Sequence, residues 1–221
     1  MKRVVLLVLP VLLAVAAFSS PVLSAPQPKL VSTDWSLKFS HHDPQAIFLR
    51  VPGEDDSRIF WYMLYTVTNQ TAQERVFVPN FILYTDTGQV LHGAEGVSPS
   101  VFEAIQARHR NPLLENVSSM TGVLLKGEDN AKDGVAIFTD IDPNARSFDL
   151  FVGGLSGEGV TVKLPVKVEI IEADTEGKVR KVVKDTVVLH KTLRLHYRLP
   201  DDPSRRTGSP AVPDGSDYVM R

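Results

Sequence analysis

Histidine is the residue type in this chain with the widest chemical range, because neutral imidazole binds metals and protonated imidazole binds anions. Six histidines could in principle supply a zinc or copper site. Their spacing argues against this, since His190 and His196 lie about 20 Å apart if they belong to one extended strand. His41 and His42 fall in a polar turn, where adjacent side chains rarely converge. We therefore predict no metal site and no cofactor.

A second chemical possibility is a charged face on the last long strand, predicted from Thr186 to Leu199. Alternate residues of a strand share a face. The face predicted to be exposed carries His190, Arg194, His196 and Arg198. This row is basic and sensitive to pH, and we hypothesise that it contacts an acidic partner. The alternative is a strand face that is simply solvated.

The polar loop from Lys126 to Asp133 is the densest polar cluster in the chain. Loops on a rigid scaffold often carry binding residues. The candidate binding residues of this loop are Glu128, Asp129 and Asn130. The run from Asp129 to Gly134 has features of a calcium-binding loop, but Ala131 occupies a ligand position. We favour an ordinary polar loop that leads into a strand.

Familiar motifs of nucleophilic and metal-dependent hydrolases are missing from the sequence. It has no cysteine, no G-x-S-x-G nucleophile elbow and no H-E-x-x-H helix motif. The run from Gly154 to Gly157 also lacks the spacing of a phosphate-binding loop, and we interpret it as a turn. We predict no catalytic residues and a protein that is not an enzyme. An enzyme with an unrecognised site is the alternative.

A mainly β fold would position these residues. From Trp35 onward, short alternating runs of apolar and polar residues end at Gly, Pro, Asn or Asp, which indicates about nine antiparallel strands. The strand from Arg58 to Thr68 is apolar on both faces, so both must be covered. A helix at about residues 98–110 interrupts the strands, and its apolar stripe would cover one of those faces. We expect an antiparallel β-sandwich with one inserted α-helix.

The last third of the chain predicts further strands and a polar tail. Val160 to Ile170 alternates strictly and should have one solvated face. In the final strand, the predicted buried face begins with Val187. Residues 200–221 are rich in Asp, Pro, Ser, Arg and Gly, and we predict that they form a disordered tail. The predicted single domain therefore covers residues 33–199.

The N-terminal residues have the features of an export signal. Lys2 and Arg3 precede the apolar run from Val4 to Phe18, which is shorter than the ~20 residues of a membrane-spanning helix. We predict a signal peptide at residues 1–24, cleaved after Ser24, and no membrane span after cleavage. The mature protein would be periplasmic or extracellular. Retention of the segment as an anchor is the alternative.

Composition limits the classes of partner. Without cysteine the protein can form no disulfide, so the core must stabilise the domain by itself. The formal net charge of −2 with interspersed signs gives no field that would attract nucleic acid. We therefore predict no nucleic-acid partner.

A family resemblance adds to this interpretation. The run from Tyr65 to Thr71, followed by the run from Phe81 to Gly88, resembles a signature of exported bacterial immunoglobulin-like accessory domains. The resemblance implies an immunoglobulin-like (Ig-like) sandwich. It also implies a non-catalytic role in adhesion, stabilisation or partner binding at the cell envelope. Such domains share no catalytic residues.

The resulting expectation is an exported, non-enzymatic binding or structural module whose partner is another protein or an envelope component. A metal-binding or small-ligand-binding periplasmic protein is the alternative. An exposed apolar patch near Phe102 and Ile105 would favour a protein partner. A deep pocket with convergent Asp, Glu or His side chains would favour a small ligand.

Overall fold

A computed structural model describes residues 26–28, 34–173, 179–202 and 205–221. The predicted signal peptide, residues 1–24, lies outside the described residues. The strands are β1 (Lys38–His41), β2 (Gln45–Arg50), β3 (Ser57–Thr68), β4 (Arg75–Phe77), β5 (Asn80–Thr85), β6 (Val90–His92), β7 (Glu115–Asn116), β8 (Gly122–Leu124), β9 (Lys132–Thr139), β10 (Ser147–Gly153), β11 (Gly159–Ala173), β12 (Val179–Arg198) and β13 (Val212–Met220). The helices are α1 (Pro99–His109) and α2 (Val117–Met120), and Glu128–Asn130 forms a 3-10 turn.

Two sheets form the body of the molecule. A five-stranded sheet has the order β1-β3-β9-β7, with β2 also paired to β3. A six-stranded sheet has the order β11-β12-β10-β5-β6, with β13 also paired to β12. Alternate residues of both sheets meet in one buried core, to which β3 contributes Trp61 and Met63 and β10 contributes Phe148 and Leu150. The predicted mainly β, sandwich-like fold is confirmed.

Helix α1 covers the second face of β3, and this confirms the predicted helix near residues 98–110. Its buried residues Val101 and Ile105 join Phe60 and Tyr62 of β3 in a separate apolar cluster. Pro99 suits the first turn because its missing N–H would have no helical partner. Ile105 is buried and Phe102 packs against the same cluster, so the exposed apolar patch that would have favoured a protein partner is not found at these two residues.

The outer face of the six-stranded sheet is more open. Tyr84 and Val90 on this face are 47% and 49% exposed. In β10, Phe148 and Leu150 point into the core, so the alternating residues Asp149 and Phe151 lie on the outer face.

Strand β12 is a single strand of 20 residues, which begins seven residues before the strand predicted from Thr186 to Leu199. Its C-terminal half pairs with β10, and its N-terminal half pairs with β11. The register with β11 shifts between Lys163 and Val168, which interrupts the regular alternation of faces along the strand. The alternate residues from Thr161 to Glu169, predicted to form a solvated face, are exposed. Val187, which was predicted to be buried, is 38% exposed because it lies where β11 and β12 leave the sandwich.

The prediction that residues 200–221 form a disordered tail is wrong for the segment that forms β13. Val212–Met220 pairs antiparallel with β12 on the edge away from β10. The connecting segment is anchored, because Arg206 donates to the Ala145 carbonyl at 2.7 Å and Ala211 N–H donates to the Pro44 carbonyl at 2.8 Å. Main-chain pairing orders a segment whose composition predicted disorder.

Candidate functional site

The predicted basic row lies on the outer face of the six-stranded sheet. On the other face of the same strand, Leu195 and Tyr197 are buried in the core, so Arg194 and His196 project outward. Arg194 is the register partner of Phe151, and His196 is the register partner of Asp149. Alternation along β12 therefore places the row as predicted, and the neighbouring strands determine what surrounds it.

Arg194 forms a bidentate ion pair with Asp217 of the last strand, β13. Asp217 of β13 lies directly opposite it. Arg194 Nε donates to Asp217 Oδ1 at 2.8 Å, and its terminal nitrogen donates to Oδ2 at 2.6 Å. These bonds raise the pKa of Arg194 and lower the pKa of Asp217. The guanidinium is therefore already neutralised by a carboxylate of the same chain.

His196 lies between two carboxylates. Its Nδ1 is 2.6 Å from Asp149 Oδ1, and its Nε2 is 3.5 Å from Asp217 Oδ1. Asp149 comes from β10 and Asp217 from β13, so the two neighbours of β12 each supply one acidic group. Both ring nitrogens thus have an acidic neighbour within the chain.

Arg198 completes this arrangement at the end of the strand. Its Nε is 3.5 Å from Asp214 Oδ1, and both side chains are largely exposed. The contribution of such an exposed pair to stability is small. Three of the four predicted basic residues therefore face carboxylates of their own chain, and His190 remains.

His190 lies beside a groove of about 450 Å³ on the same sheet face. Its main chain pairs with the end of β13, where its N–H donates to the Arg221 oxygen at 2.7 Å and its carbonyl accepts from Arg221 N–H at 3.0 Å. The His190 ring and the Arg221 side chain both line the groove. The end of β13 therefore brings a second basic residue next to His190.

The floor of the groove is apolar. The Arg221 guanidinium lies over the Phe151 ring, with its central carbon 4.3 Å from the ring centroid. Ile82 and Val78 add aliphatic surface, and Asn80 and Ser156 add polar groups. None of the described residues that line it is Asp or Glu. The groove therefore combines an aromatic floor with two basic side chains, and no acidic side chain is among its described lining residues.

Gly153 keeps one wall of the groove open. It follows Phe151 at the next outward position of β10, and a Cβ at this residue would lie 3.4 Å from Asn80 Cβ, an ordinary contact distance. A larger side chain would therefore project into the groove without a clash in the core. Neighbouring Gly154 is different, since a Cβ there would clash with the Val78 carbonyl oxygen.

The predicted loop residues Glu128, Asp129 and Asn130 form the 3-10 turn. Glu128 accepts from Lys38 at 3.4 Å and from Gln70 at 3.0 Å, and the Asn130 amide donates to the Lys126 carbonyl at 2.9 Å. These hydrogen bonds hold the turn against neighbouring segments of the chain. The turn does not lie in the groove beside His190.

Sequence reasoning did not identify a second polar cavity, of about 140 Å³, between α1 and β3. His109 Nε2 lies 2.9 Å from the Tyr62 hydroxyl, and Asp133 accepts from Thr66 at 2.7 Å. Burial, together with Arg108 and His42, lowers the pKa of His109. The buried Tyr65 hydroxyl has no hydrogen-bond partner among the described residues. His109 follows the buried Ile105 by four residues in α1, and this helical spacing could have predicted that it faces the sheet.

Among the described residues, no three His, Asp or Glu side chains converge to hold a metal ion. In the same part of the chain, no helix is long and apolar enough to cross a membrane. No protein-family model, no curated protein and no solved structure matches this chain.

Proposed function

We propose that the protein is an exported, non-catalytic binding module that holds an acidic segment of a partner protein in the groove beside His190 and Arg221. One observation carries the proposal: two basic side chains line a groove with an aromatic floor, and no acidic side chain is among the described residues that line it. Export rests on the signal peptide predicted at residues 1–24.

The charge distribution favours the end of the sheet beside His190 and Arg221 as the binding site for an acidic ligand. Arg194 is paired with Asp217, and His196 lies between Asp149 and Asp217. An incoming carboxylate would have to displace those acidic groups. Arg221 offers a guanidinium stacked on Phe151 whose N–H edges can bind a carboxylate with two parallel hydrogen bonds. An acidic ligand therefore gains most at Arg221.

Size and lining favour a ligand that is both acidic and partly apolar. Known ligand clefts have volumes of about 300–1,000 Å³ and are lined mainly by apolar side chains with a few polar groups. A groove of about 450 Å³ falls within that range. An aromatic side chain of the partner can pack on Phe151 and Ile82 while its carboxylate reaches Arg221.

The same lining supports a binding role over a catalytic one. A catalytic imidazole is normally oriented by a carboxylate and placed beside a nucleophile. Within the described lining, no Asp or Glu side chain lies beside His190 in the groove. His196 does contact Asp149, but that pair lies outside the groove lining.

Peptide binding tests the proposal directly. The probes are acetyl-Asp-Phe-Glu-amide and its neutral counterpart acetyl-Asn-Phe-Gln-amide, each titrated into the ¹⁵N-labelled protein. We expect the acidic peptide to shift the amide resonances of Asn80, Gly153 and Thr192. Arg221→Gln should weaken binding about tenfold or more, because a hydrogen bond to a charged group contributes about 1.5–3 kcal/mol.

A steric variant separates the groove from general charge attraction. Gly153→Leu leaves every charge in place but fills the groove, and it should abolish the shifts. Asp214→Asn, outside the groove, is the matched surface control and should bind like the wild type. Equal binding of the two peptides, or full binding by Gly153→Leu, would disprove the proposal.

A further inference from the structure

The first half of β12 and most of β11 form a two-stranded arm, residues 164–173 and 179–188, that extends from the sandwich. Among the arm residues whose burial is described, every side chain from 165 to 171 and from 179 to 188 is exposed except Ile170 and Val182. Those two are opposite each other in the register. They cover each other across the hairpin while the rest of the arm faces solvent.

The arm leaves large apolar side chains exposed to solvent. Val166 is 68% exposed and Ile171 is 70% exposed. A two-stranded hairpin by itself is at best marginally stable in water. It gains stability when a third strand pairs with an open edge or when its apolar face is covered. The arm therefore has the features of an interaction surface.

The two edges of the arm differ in charge. On β12, residues 180–185 include Arg180, Lys181 and Lys184 but only one acidic residue, Asp185. Pairing this edge with a copy of itself would bring together an excess of cations. Strand β11 has no neighbour other than β12 in the described sheet, which leaves its second edge open. Its charges are balanced, with Lys163 and Lys167 against Glu169 and Glu172.

The order of residues on β11 is complementary to itself. When two copies of β11 are placed antiparallel with Val168 opposite Val168, Lys167 falls opposite Glu169 of the other copy. In the same register Val166 falls opposite Ile170. Opposite charges and apolar pairs directly across two strands each stabilise the pairing. One register thus matches every residue from Val166 to Ile170.

We infer that the arm is a self-association surface, in which β11 pairs antiparallel with β11 of a second copy about Val168. The contact is symmetric, because each copy supplies the same strand to the other. Val168 and Ile170 of both copies then lie on one face of a continuous four-stranded sheet. The two Lys167–Glu169 pairs lie on the other face.

Local irregularities are compatible with this contact. Pro165 cannot donate a hydrogen bond, and it lies at the end of the matched segment, where an edge strand tolerates proline. The register shift between Lys163 and Val168 leaves Val166 and Lys167 without partners on β12. Lys181 is 3.9 Å from Glu169, and both side chains are mostly exposed, so Glu169 is available to a closer cation.

Charge reversal tests the register. Sedimentation equilibrium of the purified full chain should show a monomer–dimer equilibrium that depends on protein concentration. Lys167→Glu and Glu169→Lys each place like charges opposite one another twice per dimer. Each should weaken dimerisation about tenfold or more, since opposed like charges destabilise a strand pair. An equimolar mixture of the two variants should form a heterodimer, because every opposed pair is then of opposite sign.

Controls keep the result interpretable. Lys126→Glu makes the same change in net charge at an exposed residue outside the arm, and it should dimerise like the wild type. Circular dichroism checks that each variant is folded. A wild-type chain that stays monomeric at millimolar concentration overturns the inference. So do charge-reversed variants that dimerise normally, or a mixture that fails to associate. Peptide binding in the groove is independent of these outcomes.

Discussion

The two halves of β12 show that the elements around a strand determine which of its side chains are buried. From Lys191 to Arg198 the strand lies between β10 and β13, with Leu195 and Tyr197 buried in the core. From Val179 to about Val188 it pairs with β11 alone, and Val183 remains 57% exposed. Apolar and polar residues alternate regularly from Thr192 to Arg198, whereas the first half contains adjacent apolar residues such as Val182 and Val183.

The difference lies in the neighbouring strands. In the second half, β10 supplies Asp149 and β13 supplies Asp217 to the outward basic residues, while the second sheet covers the inward ones. In the first half, neither face is covered by another layer. Alternation determines which side chains share a face, and burial is determined by whether another element covers that face.

The largest contrast should appear when one apolar side chain is shortened in each half. Leu195→Ala should reduce the free energy of unfolding by about 2–5 kcal/mol, because it leaves a cavity in the core. Val183→Ala in the arm should change it by less than about 0.5 kcal/mol. Urea denaturation followed by tryptophan fluorescence measures both values. Similar losses for the two variants would show that the arm is packed as tightly as the core.

Removal of β13 should affect one edge of β12 and spare the other. A chain ending at Ala211 keeps the anchored connection but loses the partner of the His190 amide, which donates to the Arg221 oxygen. That amide should exchange with solvent about tenfold faster or more, which corresponds to about 1.4 kcal/mol. The adjacent Lys191 amide donates to the Glu158 carbonyl on the opposite edge and is the internal control. Equal acceleration at both amides would mean that β13 supports the whole strand.

The smallest loss of stability should come from breaking the ion pair between Asp217 of β13 and Arg194 of β12. Asp217→Asn should cost about 0.5–1 kcal/mol at neutral pH, since the pair is partly exposed to solvent. Arg194 lowers the pKa of Asp217 from 3.8, so the contribution of this carboxylate is present above that value. It disappears as the pH falls through the lower folded pKa. The stability difference between wild type and variant should therefore shrink below pH 3.8, as measured by urea denaturation across pH.

Asp214→Asn provides the comparison for that measurement. Arg198 and Asp214 are 3.5 Å apart and more exposed than Arg194 and Asp217. We expect no measurable loss of stability from this substitution. A loss as large as that of Asp217→Asn would show that simple charge balance, and not the bidentate geometry, holds β13 in place.

Sequence patterns predicted the elements whose structure depends on short-range order. Alternation identified β3 and both of its apolar faces, and helical spacing identified α1 as the cover of one of them. The outward position of Arg194 and His196 followed from the same periodicity of two. These features depend on residues a few positions apart, and a single sequence contains that information.

Tertiary structure alone decided which groups the basic row faces. Asp149 and Asp217 lie 47 and 23 residues away from their partners His196 and Arg194 along the chain. No local pattern joins them, because their proximity depends on strand order. The polar composition of residues 212–220 predicted disorder, yet β13 is ordered by a ladder of main-chain hydrogen bonds to β12. Such bonds require an available strand edge and place little demand on side-chain polarity, so composition could not reveal them.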